Sequence, residues 1–170
     1  MASTPLKFSG QDFSLQRDKN RFVLPAQFRK ALKAANADYN GGKPTMLLLM
    51  HDRWECLMGF GGSRLAALDH QLEREEELAV RAGRDFDKEK RSIDLHAYET
   101  VPFDGSGRFV LPEGLAAVAN IGDGIFFQGG GDFFTMWSPA ELANMGDDWK
   151  NAKAACRRLA ARELEKASKK

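Results

Sequence analysis

Between Met1 and Lys33 the cations are Lys7, Arg17, Lys19, Arg21, Arg29, Lys30 and Lys33, set against only Asp12 and Asp18. The whole chain of 170 residues has a net charge of +1, so this basic character is local. A guanidinium is a planar fork that can grip a phosphate, or the O6/N7 edge of guanine, with two hydrogen bonds. A lysine adds a point charge for phosphate. The chemistry these residue types offer is recognition of a polyanion, nucleic acid first.

Elsewhere the reactive residue types do not assemble. Gly41-Gly42-Lys43-Pro44-Thr45 approaches a phosphate-binding loop, but the hydroxyl must directly follow the lysine and Pro44 intervenes. Gly129-Gly130-Gly131 has no helix after it to make a dinucleotide fingerprint, and Gly59 to Ser63 lacks the spacing of a nucleophile elbow. His51, Asp52 and Cys56 flank an apparent hairpin turn, and His70 and His96 have no partner at metal-ligand spacing. No catalytic residue, metal or cofactor is expected. Cys56 and Cys156 are far apart without a CxxC, which suits a reducing compartment. Apolar residues at 43% and charged residues at 29% are those of an ordinary globular protein. No stretch approaches the ~18–20 apolar residues of a membrane span, and Met1 to Pro5 lacks a leader's pattern. A cytoplasmic protein is expected.

What must position the cations is a repeat. Arg-Phe-Val-Leu-Pro occurs at Arg21–Pro25 and again at Arg108–Pro112. A polar turn precedes each copy (Asp18-Lys19-Asn20, then Asp104-Gly105-Ser106-Gly107), and an amphipathic stretch follows each, Ala26–Leu32 and Glu113–Val118. Phe-Val-Leu is a short β-type run, and the proline after it suits the first position of a helix. Apolar runs come next, Met46–Leu49 and Ile125–Phe127, each followed by a strand-like segment expected to carry a tryptophan. In the second copy the glycines at 129–131 read as the turn of a hairpin between Phe126 and Trp137. A unit of this size cannot bury its own apolar face, so two should pack on each other as a pseudo-twofold module.

Helices are expected between and after the units. Ser63 is placed to cap a helix from Arg64 to Gly83, whose Glu73, Glu75, Glu76 and Glu77 make a negative face suited to a neighbour's basic surface. A short helix covers Asp85–Ile93. Ser138-Pro139-Ala140-Glu141 reads as a capping box, opening a helix that breaks at Gly146 and runs toward a basic, frayed C-terminus. The tryptophans and phenylalanines read as core or oligomer interface.

These residues resemble the MraZ family, of the SpoVT/AbrB class of swapped-hairpin DNA-binding folds. The family pattern, once per half, is an acidic residue, two variable positions, glycine, arginine, a β-run and proline. The second half matches it at Asp104, Gly107, Arg108 and Pro112, and the first at Lys19, Arg21 and Pro25. Phe8-Ser9-Gly10 and the segment Phe134 to Pro139 also resemble family features, so the likeness runs from about Phe8 to Leu142. Two departures stand out: Arg17 in place of aspartate, and Asn20 in place of glycine. Asparagine tolerates a left-handed turn, so the backbone is expected to be kept.

The resemblance implies an α+β fold of two swapped-hairpin β/α units forming a β-barrel-like module with added helices. Residues 8–60 form the first unit, 61–94 the connecting helices, 95–142 the second unit and 143–170 a basic C-terminal helix and tail. It implies a regulator of a division and cell-wall gene cluster that binds short direct repeats in its own promoter as a ring-like oligomer on the nucleoid. Arg21 matches the family's DNA-contacting arginine; Arg17 and Lys19 are expected on phosphates, with Arg29 in support. Arg108, four residues from Asp104, suits a structural turn role as well as DNA contact. An assembly module on the same fold, with DNA binding lost, is the alternative from another class.

Overall fold

The structure is a computed structural model and describes residues 6–169. The fold is α+β and its strands pair antiparallel. In the first half β1 (Gln11–Leu15), β2 (Arg21–Val23), α1 (Ala26–Ala35), β3 (Thr45–Met50) and β4 (Leu57–Phe60) follow one another. Two helices come next, α2 (Leu65–Arg81) and α3 (Lys88–Leu95). The second half repeats the pattern with β5 (Glu99–Pro102), β6 (Arg108–Val110), α4 (Glu113–Val118), β7 (Gly124–Gly129) and β8 (Phe134–Trp137). The chain closes with α5 (Pro139–Ala143) and α6 (Lys150–Ser168).

Six strands form one sheet in the order β1-β7-β8-β4-β3-β5, and β2 pairs with β6 in a separate two-stranded ribbon. Exchanging each strand for its counterpart in the other half returns the same order read backwards. Each half's first strand pairs with the other half's third strand: β1 with β7, β5 with β3. The expected barrel does not close. The ribbon strands are only three residues long and pair with each other rather than with the sheet, leaving β1 and β5 as the edges of an open sheet.

One core runs through both halves. Phe22, Leu24, Phe28 and Leu32 of the first pack with Phe109, Leu111, Phe127 and Phe134 of the second. The α1 residues Phe28 and Leu32, one helical turn apart, are both fully buried. Phe28 meets Phe134 at 4.9 Å and, edge-on, Phe8 at 5.8 Å. Burying each such side chain contributes ~1.5–3 kcal/mol. A second cluster seats α6 on the sheet through Cys156 and Leu159 against Phe13, Phe126 and Trp137.

The local expectations divide. The β7–β8 hairpin forms, and the C-terminal helical stretch is interrupted around Gly146. Ser63 does not cap α2: the helix is entered through a 3₁₀ turn, Gly62–Arg64, that contains it. The short helix starts at Lys88 rather than Asp85, because Asp87 accepts the Lys90 amide at 3.0 Å. Ser138 and Pro139 stand at N-cap and N1, yet the capping box is unmade, since Glu141 accepts instead from Asn120 Nδ2 at 3.1 Å. Trp54 lies in the turn before β4, not in a strand, where it stacks on His51 and meets Trp149. Part of the acidic face of α2 is used within the chain, Glu75 by Arg91 and Glu76 by Lys88. No helix among the described residues is long and apolar enough to cross a membrane.

Candidate nucleic-acid interface

The two polar turns sit at opposite ends of the ribbon and are built alike. The residue opening each turn donates its amide to the arginine carbonyl, Arg17 to Arg21 at 2.8 Å and Asp104 to Arg108 at 3.0 Å. The residue before each arginine takes a left-handed conformation, Asn20 at φ 60° and Gly107 at φ 88°. Asparagine thus keeps the backbone that glycine supplies in the other turn. Each of these residues then accepts a bond from the opposite half, Asn20 from the Leu111 amide and Gly107 from the Leu24 amide, both at 2.7 Å. Neither turn is completed by its own half of the chain.

Their side-chain chemistry differs. Asp104 Oδ1 accepts the amides of Ser106 and Arg108, each at 2.9 Å, and its Oδ2 accepts Arg108 Nε at 2.7 Å. The Arg108 amide and guanidinium together hold the Asp104 carboxyl below the usual aspartate range. The first turn has arginine at the matching position and is braced through a different amide, Gln16 Oε1 taking that of Asn20 at 2.7 Å. A neutral amide therefore braces the first turn where a carboxylate braces the second. Neither Arg17 nor Arg21 makes an ion pair among the described residues.

Along the ribbon the side chains alternate. Phe22 and Phe109 point into the core, while Arg21, Arg108 and Val110 are exposed. On the exposed side an open groove of about 610 Å³ brings Arg17, Arg21 and Arg108 together with Asp18 and Asp104. Lys19 and Arg29 do not line it. Lys19 reaches Glu113 at the start of α4, 2.8 Å away, which raises the lysine's pKa and lowers the glutamate's. Arg29 donates from Nη1 to the Gly105 carbonyl at 3.1 Å and lies against Gly107, bracing the second turn from the first half's helix. With Lys30 and Lys33 it borders a separate hollow next to Asp104. Gln16 and Val110 were not singled out from the sequence. Gln16 could have been found by asking what replaces the aspartate.

The buried thiols offer no chemistry at neutral pH. Burial pushes Cys56 up to about 12 and Cys156 to about 11. No group of three potential metal ligands forms among the described residues.

No family model matches the chain. It is similar to the transcriptional regulator MraZ of Rhodospirillum rubrum, 34% identical over 125 residues that cover 73% of this chain and 74% of that one. The regulator of the same name from Gluconacetobacter diazotrophicus is 30% identical over 122 residues, 72% of each chain. That from Gluconobacter oxydans is 30% identical over 127 residues, 74% of this chain and 71% of its own.

Proposed function

The chain belongs to the MraZ family of transcriptional regulators, and from that premise we propose that it is a sequence-specific DNA-binding transcriptional regulator. The observation that carries the reading is the gathering of Arg17, Arg21 and Arg108 along the solvent side of a two-stranded ribbon. A ribbon of this kind fits the major groove of B-DNA, and its arginines can reach guanine edges or phosphates. Arg21, which makes no ion pair among the described residues, is the specificity contact; Arg17 binds phosphate, and exposed Val110 offers an apolar surface to a thymine methyl. Arg108, tied to Asp104, contributes less, while Lys19 and Arg29 support from outside the groove.

The backwards-reading strand order supports two swapped-hairpin units, 8–60 and 95–142, joined by helices at 61–94 and followed by the helical tail. A single groove offers few phosphate contacts, each adding only about −0.9 to the log–log salt slope. Subunits in a ring on short promoter repeats multiply the effective concentration. The promoter is that of its own division and cell-wall gene cluster, in the cytoplasm on the nucleoid.

A gel-shift titration on its own upstream DNA, at two salt concentrations with scrambled competitor, tests the reading. Binding that survives competitor and weakens with salt supports it; equal binding to both DNAs, or none at low salt, refutes it. One observation favours the assembly module: Asp104 and Glu113 occupy Arg108 and Lys19. Arg21→Ala separates the two readings, since it abolishes DNA binding in a regulator and leaves an assembly module unchanged.

A further inference from the structure

Away from the ribbon, Arg64 is the one buried side-chain donor left without an acceptor among the described residues; its Nε is closed off from solvent and unpaired. The carboxylates nearby are engaged elsewhere. Asp132 binds Lys7 at 2.6 Å, and Asp52 binds Arg91 at 2.9 Å. The guanidinium instead lies over the rings of Phe60 and Phe133, 5.4 and 5.7 Å from their centroids. Burial pushes it below its ordinary value, yet an arginine stays charged at neutral pH. The residue as a whole is only half-buried, so its two Nη groups, unlike the sealed Nε, stay open to a partner.

The fold holds this arginine in place. Buried Asn36 accepts the Gly62 amide and donates to the Thr45 carbonyl, both at 2.8 Å, fixing the 3₁₀ turn to α1 and β3. Arg64 leaves that turn into a cleft of about 470 Å³ between α2 and the β3–β4 turn, walled by Phe60, Leu68 and Phe133. His51 opens on the same cleft. Its Nδ1 accepts the amides of Arg53 and Trp54 at 3.1 and 3.3 Å, which leaves the proton on Nε2 as a second donor. The ring is fixed by stacking on Trp54 at 4.1 Å. At the far end Arg91 is closed into a network with Asp52 and Glu75.

We propose that this cleft binds a small carboxylate-bearing molecule with an apolar body, its carboxylate on Arg64 and its apolar part between Phe60, Leu68 and Phe133. A planar guanidinium held against two rings, with its Nε sealed, offers the outer Nη1–Nη2 edge to a bidentate carboxylate. Arg53, Arg64 and Arg91 against Asp52 and Glu75 leave the lining one positive charge in excess, which suits a monoanion and disfavours a phosphate monoester. The site is independent of the DNA-binding reading.

The test uses the full chain with benzoate as probe and benzamide and inorganic phosphate as controls. Calorimetry and the tryptophan fluorescence, to which Trp54 beside His51 contributes, follow binding. The expected result is saturable benzoate binding, with benzamide, phosphate and the Arg64→Gln variant each weaker by about ten-fold or more. Arg64→Met keeps the apolar stem and removes the orphaned donor. It should melt no lower than the native chain and gain nothing from benzoate, whereas the native chain gains. Arg64→Lys, which keeps charge and stem, should fold normally and bind benzoate weakly for want of the fork. Benzoate binding that is absent, or equal in Arg64→Gln, overturns the proposal. A change of oligomeric state on Arg64→Gln without benzoate binding to the native chain also overturns it, assigning the arginine to a carboxylate of another copy.

Discussion

Phe22 and Phe109 are register partners at the centre of the β2–β6 ribbon, with ring centroids 6.1 Å apart. They occupy the same place in the two repeats, so the repeat's own apolar residue is its contact with the other half. Replacing either with alanine should cost about 3–5 kcal/mol in urea denaturation. Both halves should lose stability together, in a single transition. Two separate transitions would show that the halves do not share this core.

The two turns should differ in tolerance. A Cβ on Gly107, at φ 88°, would stand 2.6 Å from the Leu24 carbonyl oxygen, so Gly107→Ala should destabilise by about 2–3 kcal/mol. Asn20→Gly should be within about 0.5 kcal/mol of the native chain, since the conformation is already left-handed. Thermal melts of the two variants check the contrast.

Arg17→Asp should restore a carboxylate beside Arg21 and weaken DNA binding. Loss of one phosphate contact lowers the log–log salt slope by about 0.9. Anisotropy titrations across a salt series read this directly. An unchanged slope would place Arg17 off the phosphates.

Asp104 carries a pH dependence of known sign. Its carboxyl is held low in the folded state by the Arg108 amide and side chain. The turn is therefore stabilised above the ordinary aspartate range and loses that contribution as pH falls through the depressed value. A carbon-detected NMR titration should put the Asp104 midpoint below that of an unperturbed aspartate. At neutral pH Asp104→Asn should release Arg108 and tighten DNA binding, measured by anisotropy.

Cys56 and Cys156 should resist thiol reagents. Both are buried, with thiols raised to about 12 and 11, so a disulfide-exchange reagent should label neither in the native chain and both in denaturant. Fast native labelling of Cys156 would mean that α6 opens from the sheet.

What could be read from the residues was whatever repeats or alternates locally. The Arg-Phe-Val-Leu-Pro strings located both ribbon strands and both helices after them, and Asn20 signalled a left-handed turn. The Arg17 departure was visible too, but not its consequence, because Gln16 braces that turn through the Asn20 amide, a bond that no motif records. Lys19 and Arg29 read simply as cations; their partners Glu113 and Gly105 come from the other repeat, and only the packing of the halves brings them close. Arg64 was legible only as a helix residue. Its isolation depends on Lys7 and Arg91 having claimed the neighbouring carboxylates. Ser63 and Ser138 show the converse: a 3₁₀ entry displaces Ser63 from the cap of α2, and Ser138 keeps the N-cap position while Glu141 turns to Asn120.

The pairing of β1 with β7 also sets a schedule. Gln11 bonds Gln128, 117 residues downstream, and Asn20 waits for Leu111 to close its turn. At ~5–20 residues per second, roughly 6–23 s of synthesis separate the two strands, during which β1 has no partner on the growing chain. An emerging first half is thus an unfinished edge exposed to other nascent chains, and a message cut short between the repeats supplies neither β1 nor the Asn20 turn with its partner from the same chain.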